Sequence, residues 1–193
     1  YLTERVDFAT FSGHKFHGVR GIGFAYIKSG KKITPLLTGG GQERDYRSTT
    51  ENVAGIAATA KALRLSMEKL DIFTSKTEQM KAVIRQALLD YPDIFVFSDE
   101  EDFAPHILTF GIKGVRGEVI VHAFEDYDIF ISTTSACSSK AGKPAGTLIA
   151  MGVNKDKAQS AVRLSLALEN DMSQVEQFLT KLKLIYNQTR KVR

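Results

Sequence analysis

Two long stretches in the middle of the chain carry apolar residues at helical spacing. In the first, which begins at about Glu51, apolar residues recur every three or four positions, at Ile56, Ala60, Leu63 and Met67. This spacing places them on one side of a helix. A second helical pattern covers 78–89, and Pro92 ends it because the residue before a proline avoids the helical conformation. The pattern therefore predicts two successive helices.

Apolar runs with strand-like composition flank these helices. Before them, β-branched and aromatic residues predict strands at 6–11 and 21–27. The run Gly39–Gly41 lies beyond the second strand, and its flexibility suits a loop with unusual dihedral angles. After the helices, the pattern predicts strands at 107–112, 129–132 and 161–166, and helices at 117–127 and 144–151. A last helix is predicted to open at Ser173, because Ser173 and Glu176 have capping-box spacing.

The order of these elements predicts the fold class and the domains. Strands that alternate with helices are typical of a layered α/β or α+β fold. Two helices separate the first strands from the later ones, so a boundary is expected near Ser75. We therefore predict two domains, 1–74 and 75–193.

Composition and charge exclude several function classes. The 193 residues are 43% hydrophobic and 25% charged, which is typical of a globular protein. No apolar run approaches the roughly 20 residues of a membrane helix, and no signal-peptide pattern is present, so a cytoplasmic protein without a membrane partner is predicted. The net charge of +4 is scattered except in the basic tail 181–193, which does not favour nucleic-acid binding. Cys137 is the only cysteine, so an internal disulfide is excluded.

Three residues combine reactive side chains with unusual surroundings. Lys15 lies in the glycine-flanked loop SGHKFHG (12–18), where a solvated lysine is the commoner explanation. Cys137 lies among hydroxyls, glycines and lysines, which disfavours a buried hydrophobic role and suits a reactive thiolate. Arg163 lies in an apolar strand, where it either faces solvent or binds an anion through its guanidinium. The residues alone leave these alternatives open.

Several spaced motifs give the chain a family resemblance. They are SGHKFHG, GIGFAYIKSGKK, GGGQERDYRSTTENVAGI, GVRGEVIVHAFEDYDIFISTTSACSS and AVRLSL. In this order and spacing they resemble the cysteine desulfurases of the class V aminotransferase family, the NifS and IscS type. The resemblance implies a partial fold-type I transferase, in which 1–74 is the remnant of the cofactor-binding large domain and 75–193 is an α+β small domain.

The resemblance also implies a cofactor site. Lys15 would form a Schiff base with pyridoxal 5'-phosphate, because an unprotonated amine condenses with an aldehyde. Ser12 and His14 would contact the cofactor phosphate. Thr50 would reach the phosphate of a neighbouring subunit, which implies a homodimer. His17 has no role that the resemblance transfers, and no metal ligands are predicted.

The implied reaction converts L-cysteine to L-alanine. Cys137 would attack the substrate sulfur and carry the resulting persulfide to a sulfur-acceptor protein, for iron–sulfur clusters or thiolation. Arg163 would bind the substrate carboxylate. A related lyase or aminotransferase, or a non-catalytic dimerisation or partner-binding module, remains an alternative.

The chain departs from the family pattern in three places. Thr49 stands where the family usually has glycine, Val19 and Arg20 replace a proline and a lysine, and Ala167 and Leu168 replace a glycine and an arginine. These changes put the standard cofactor and substrate geometry in question.

A larger departure lies at the N-terminus. The family places a cofactor-stacking histidine and a pyridinium-binding aspartate upstream of the strand with which this chain begins, and the first residue is not methionine. We therefore expect a fragment that is not catalytically competent alone.

Overall fold

The chain divides into two units in the computed structural model, which describes residues 2–98, 103–133 and 146–191. The N-terminal unit is Tyr1–Leu70 and the C-terminal unit is Asp71–Arg193. The division falls at the start of helix α2 (Leu70–Leu89), a few residues before the position that the sequence suggests.

A β-hairpin opens the N-terminal unit. Strands β1 (Phe8–Ser12) and β2 (Gly23–Ile27) pair antiparallel, and a 3-10 helix (Gly13–Phe16) starts the connection between them. Phe11 and Phe24 lie opposite each other, and their rings stack with centroids 4.7 Å apart. Both predicted strands are confirmed, and each begins slightly later than predicted.

Helix α1 (Val53–Glu68) completes this unit and confirms the first predicted helix. It begins after Asn52, whose Oδ1 accepts a hydrogen bond from the N–H of Gly55 at 3.0 Å. The apolar stripe expected on this helix is exposed at Ile56, Leu63 and Met67. Among the described residues, every buried side chain of the hydrophobic core belongs to the C-terminal unit. The N-terminal unit therefore has no apolar core of its own within the described part.

The C-terminal unit contains a four-stranded antiparallel sheet with strand order β3-β4-β6-β5. Its strands are β3 (Ile94–Val96), β4 (Ile107–Ile112), β5 (Ser132–Thr133) and β6 (Ala161–Ser165). Its helices are α2, α3 (Gly117–Glu125), α4 (Gly146–Ala150), α5 (Lys155–Gln159) and α6 (Met172–Lys191). The predicted strands at 107–112 and 161–166 and the predicted second helix are confirmed.

The main core lies between one face of this sheet and the helices α2, α3 and α6. Alternate residues of β4 point to it, and Leu108, Phe110 and Ile112 are fully buried. Phe178 of α6 stacks on Phe124 of α3 at 5.0 Å between ring centroids and meets Phe110 edge-on at 6.2 Å. These aromatic contacts join two helices to the sheet.

A smaller apolar cluster involves α4, α5 and β6. Leu148, Ala158 and Ala161 are buried in it, and Phe97 and Val153 pack against them. Because side chains alternate along a strand, Arg163 lies on the same face of β6 as Ala161.

The predicted strand 129–132 is wrong in most of its length. Only Ser132–Thr133 pair as a strand. The N–H of Ile129 instead donates to the carbonyl oxygen of Phe124 at 3.1 Å, and Asp128 has a φ of 58°. The apolar run therefore begins as the turn that closes α3, and only its end is extended.

The predicted cap of the last helix is also wrong. Helix α6 begins at Met172, and the capping side chain is Asp171. Its Oδ1 accepts hydrogen bonds from the N–H of Gln174 at 3.0 Å and from the hydroxyl of Ser173 at 2.7 Å. A carboxylate accepts more strongly than a hydroxyl, so the aspartate takes the capping position.

Candidate functional site

The segment SGHKFHG forms the turn that leaves β1. Ser12 ends the strand, and the 3-10 helix Gly13–Phe16 follows it. Ser12, His14 and Lys15 are all exposed. His17 then adopts the left-handed conformation, with a φ of 67°. The turn thus presents a hydroxyl, an imidazole and an amine at neighbouring positions.

Buried Gly13 fixes this turn against helix α1. Its N–H donates to the carbonyl oxygen of Ile22 at 2.9 Å. A Cβ at this position would lie 3.1 Å from that oxygen and 3.1 Å from Oγ1 of Thr59, so a larger residue would be tightly packed and would push its neighbours apart by a few tenths of an ångström. At the other end of the 3-10 helix, the hydroxyl of Ser66 donates to the carbonyl oxygen of Phe16 at 3.3 Å. Lys15 is therefore carried by a turn that is anchored on both sides.

The hydroxyl of Thr59 beside Gly13 has an unusual environment. Its Oγ1 is buried, and it has no hydrogen-bond partner among the described residues. Sequence reasoning missed Thr59, because a threonine within an alanine-rich helix gives no signal of a distant contact. Its position next to the Lys15 turn makes it part of the candidate site.

A left-handed turn lies in the motif GGGQERDYRSTT. Glu43, Arg44 and Asp45 have φ values of 52°, 56° and 67°, and the N–H of Asp45 donates to the carbonyl oxygen of Gly41 at 3.1 Å. The φ of Gly41 is 79°, so the unusual dihedral expected for this glycine run is confirmed there. Each non-glycine residue in this conformation lowers the stability of the folded state by about 1–2 kcal/mol. Strain of this kind is typical of functional segments.

Thr50 lies shortly after this turn and is exposed. Two hydrogen bonds hold the chain between the turn and Thr50. The N–H of Ser48 donates to the carbonyl oxygen of Leu37 at 3.1 Å, and the hydroxyl of Tyr46 donates to the carbonyl oxygen of Lys31 at 3.3 Å. Thr50 is thus confined between a strained, anchored loop and the N-cap of α1.

Arg163 lies in the interior of the other sheet. It is half-buried on β6, opposite Thr109 of β4 and Ser132 of β5. Its Nε is buried and has no hydrogen-bond partner among the described residues. A buried guanidinium N–H without an acceptor is costly, and an anion would satisfy it. This geometry favours the anion-binding alternative over the solvent-facing one.

Cys137 lies outside the described residues, as do Lys140 and Lys143. The structure therefore places four of the five remaining predicted site residues, Ser12, His14, Lys15 and Thr50, in the N-terminal unit, and Arg163 in the C-terminal unit. Of these, Ser12, His14 and Lys15 share one turn.

A titratable pair in the C-terminal unit was not predicted. The ring of His106 lies 5.2 Å from that of Phe73 between centroids, and its Nδ1 is buried without a partner among the described residues. Burial lowers the pKa of His106, and the ammonium group of Lys81 lowers it further. Lys81 donates to the carbonyl oxygen of Ala104 at 2.9 Å, and burial also lowers its pKa. The environment therefore favours neutral His106.

Metal-ligand clusters and membrane-spanning helices are both absent from the part of the chain that the structure describes. No group of three or more histidine, cysteine, aspartate or glutamate residues among the described residues could hold a metal ion. Over the same ranges, no helix combines the length and hydrophobicity needed to cross a bilayer.

Comparison with known proteins gives a family and several relatives. The family described as "Aminotransferase class-V" matches residues 3–178. A "NifS/IcsS protein homolog" from Lactobacillus delbrueckii subsp. bulgaricus is 47% identical over 99% of this chain and 50% of its own length. A "Cysteine desulfurase IscS" from Clostridium botulinum is 34% identical over 97% of this chain and 48% of its own length. The chain spans about half the length of these curated relatives.

Solved structures give the same result for the fold. A "NIFS-LIKE PROTEIN" matches with a TM-score of 0.79 and 33% identity, over 96% of this chain and 47% of that protein. A NifS-like protein from Rickettsia africae matches with a TM-score of 0.82 and 29% identity, over 94% of this chain and 48% of that protein. The predicted α/β fold, corresponding to part of a fold-type I transferase, is confirmed.

Proposed function

Because the chain belongs to the class V aminotransferase family, as its motifs indicate, we propose that it is part of a cysteine desulfurase that converts L-cysteine to L-alanine. The observation that supports this proposal most is the similarity to NifS and IscS homologues over nearly the whole chain. These relatives are about twice as long as the region they share with this chain, so the activity is proposed for a protein of their full length.

The residues of the SGHKFHG turn fit pyridoxal 5'-phosphate. Lys15 offers an exposed amine that would bind the cofactor aldehyde, and Ser12 and His14 offer hydrogen-bond donors for its phosphate. The cofactor, when bound, supplies an electron sink for the charge that develops on the substrate. The Lys15 Nζ would then move a proton at the substrate carbons, and the anchored turn would keep it in position.

Substrate binding and sulfur transfer are assigned to two other residues. The guanidinium of Arg163 would bind the substrate carboxylate, which would give its buried Nε an acceptor. The thiolate of Cys137 would attack the substrate sulfur, so that an S–S bond forms while the C–S bond of cysteine breaks. The electron pair of that bond would stay on the substrate Cβ, which would gain a proton and become the methyl group of alanine. The persulfide would then pass to a sulfur-acceptor protein of an iron–sulfur or thiolation pathway in the cytoplasm.

Thr50 implies a homodimer. By family resemblance, its hydroxyl would contact the cofactor phosphate bound by the neighbouring subunit. The strained turn before it and the helix cap after it limit the positions that Thr50 can reach. Such confinement suits a residue that must meet a ligand across an interface.

The isolated chain is expected to be inactive. Within the described residues the N-terminal unit has no buried apolar core, although it carries Lys15 and Thr50. Local hydrogen bonds hold the Lys15 turn within this unit, but a site without a packed core beneath it lacks part of the support that catalytic geometry requires. Activity should therefore be measured in a protein of the relatives' full length that carries this sequence.

Substitution of Cys137 tests the proposal. In the full-length protein, Cys137→Ser should abolish persulfide formation and alanine release while the visible absorbance of the bound cofactor remains. Ser139→Ala, two positions away, is the matched control and should retain both activities. If Cys137→Ser still released alanine at the unmodified rate, a lyase or aminotransferase function would replace the desulfurase.

A further inference from the structure

A cationic cleft lies in the C-terminal unit, on the side of the sheet that α5 covers. Its volume is about 550 Å³, within the range of ligand-binding clefts. Its walls are the turn 113–116, which leads from β4 to α3, and the segment 154–160, which contains α5. Phe95 of the edge strand β3 supplies an apolar surface between them, together with Val115.

The charges around this cleft are mostly of one sign. Lys113, Arg116 and Lys157 line it, against the carboxylate of Asp156. Among the described residues, no carboxylate lies within ion-pairing distance of Lys113 or Lys157. Arg116 makes one long, exposed ion pair with the described residues, to Glu118 at 3.5 Å. The cleft therefore presents cations that no described residue neutralises fully.

Hydrogen bonds hold both walls. The N–H of Lys113 donates to the carbonyl oxygen of Asp93 at 2.8 Å, which ties the first wall to β3. In the second wall, Asn154 caps α5 by accepting from the N–H of Asp156 at 2.8 Å, and the hydroxyl of Ser160 donates to the carbonyl oxygen of Lys157 at 2.7 Å. The cations thus stand on ordered backbone on both sides of the cleft.

We propose that this cleft binds an acidic peptide segment, with apolar residues among its carboxylates, from a partner protein. The cationic walls match the carboxylates, and the surfaces of Phe95 and Val115 match the apolar side chains. Because Lys157 Nζ lies 4.6 Å from the centroid of the Phe95 ring, it occupies one face of that ring and disfavours stacking of a nucleotide base there, while the rest of the ring still lines the cleft. A lone inorganic anion would fill only a small part of the volume. The site does not depend on the proposed desulfurase activity.

Charge reversal of the cleft tests this binding. The probe is a fluorescein-labelled peptide of alternating glutamate and leucine, titrated with the complete chain and followed by fluorescence anisotropy at low and physiological salt. The unmodified chain should bind it, more weakly as salt rises. The triple variant Lys113→Glu, Arg116→Glu, Lys157→Glu should lose affinity by about tenfold or more, since each reversal replaces attraction with repulsion.

Two controls separate this site from general charge effects. Lys155→Glu reverses an exposed charge on α5 that does not line the cleft, and it should leave the affinity nearly unchanged. If it weakened binding as much as the single variant Lys157→Glu, the peptide would be responding to net charge and the proposal would fail. A peptide of alternating lysine and leucine should not bind.

Measurements on the unmodified chain keep the test independent of whether the triple variant folds. Amide resonances of Phe95, Lys113 and Lys157 should shift on titration with the acidic peptide. Shifts confined to other residues, or no binding by the unmodified chain, would overturn the proposal. ATP and pyrophosphate are titrated in parallel, and if either displaced the peptide and bound more tightly through the same residues, the cleft would be a phosphate site instead.

Discussion

A matched pair of phenylalanine substitutions tests the finding that the core lies in the C-terminal unit. Phe178 is 4% exposed and contacts the rings of Phe110 and Phe124, whereas Phe8 of the N-terminal hairpin is 50% exposed. Replacing a buried phenylalanine by alanine costs about 3–5 kcal/mol. The two ring contacts place Phe178→Ala toward the upper end of that range. Phe8→Ala should change the free energy of unfolding by no more than about 0.5 kcal/mol.

Urea unfolding followed by circular dichroism measures both effects. With a slope of about 2 kcal/mol per molar urea, a loss of about 4 kcal/mol lowers the midpoint by about 2 M. Phe178→Leu, which keeps most of the volume, should lower the midpoint less and provides a folded comparison if the alanine variant is too unstable. Equal shifts for Phe8→Ala and Phe178→Ala would refute the reasoning, because the N-terminal unit would then contribute to the same core.

Three further predictions concern the candidate site and the titratable pair. The isolated chain, treated with pyridoxal 5'-phosphate and then borohydride, should show no preferential labelling of Lys15, because no buried apolar core supports its turn among the described residues of the N-terminal unit; stoichiometric labelling that Lys15→Ala removes would contradict this. In the full-length protein, Arg163→Lys should raise KM for L-cysteine by about 10–100-fold through loss of the bidentate contact, and an unchanged KM would remove Arg163 from the substrate site. The lowered pKa of His106 means that the folded chain binds fewer protons than the unfolded chain, so stability should fall as the pH drops below the ordinary histidine value of about 6.5. In the unmodified chain, the urea midpoint should be lower at mildly acid pH than at neutral pH. His106→Gln should make this pH dependence smaller. If the variant and the unmodified chain showed the same pH dependence, His106 would not be its cause.

The sequence predicts the fold best where periodicity and burial coincide. Strand β4 alternates between core and opposite face, with Phe110 buried, and its predicted bounds are those observed. The run that contains Ile129 is equally apolar, but the N–H of Ile129 donates to the carbonyl oxygen of Phe124 in the turn that ends α3. Amino-acid composition does not show whether such a residue pairs in a strand or closes a helix. The strand β3 and the short helix α5 escaped prediction because each is too brief to show a period.

The candidate site is predictable only in part for a similar reason. Glycines mark the SGHKFHG turn and the left-handed loop, because they signal backbone freedom locally. The packing of Gly13 against Thr59 joins positions far apart in sequence, so no local pattern reveals it. For Arg163, the sequence shows a charge in an apolar strand, but only the structure shows that its Nε lacks an acceptor among the described residues.

The left-handed turn at Glu43, Arg44 and Asp45 has an evolutionary consequence. Glycine adopts this conformation without steric strain. Replacing each residue by glycine therefore removes a strain of about 1–2 kcal/mol, adds a backbone-entropy cost of about 0.5–1 kcal/mol, and should raise the heat resistance slightly. A laboratory population selected for thermal survival alone should accumulate glycine there. A population selected in addition for the proposed desulfurase activity should keep the three charged residues if the turn they form positions the Thr50 segment.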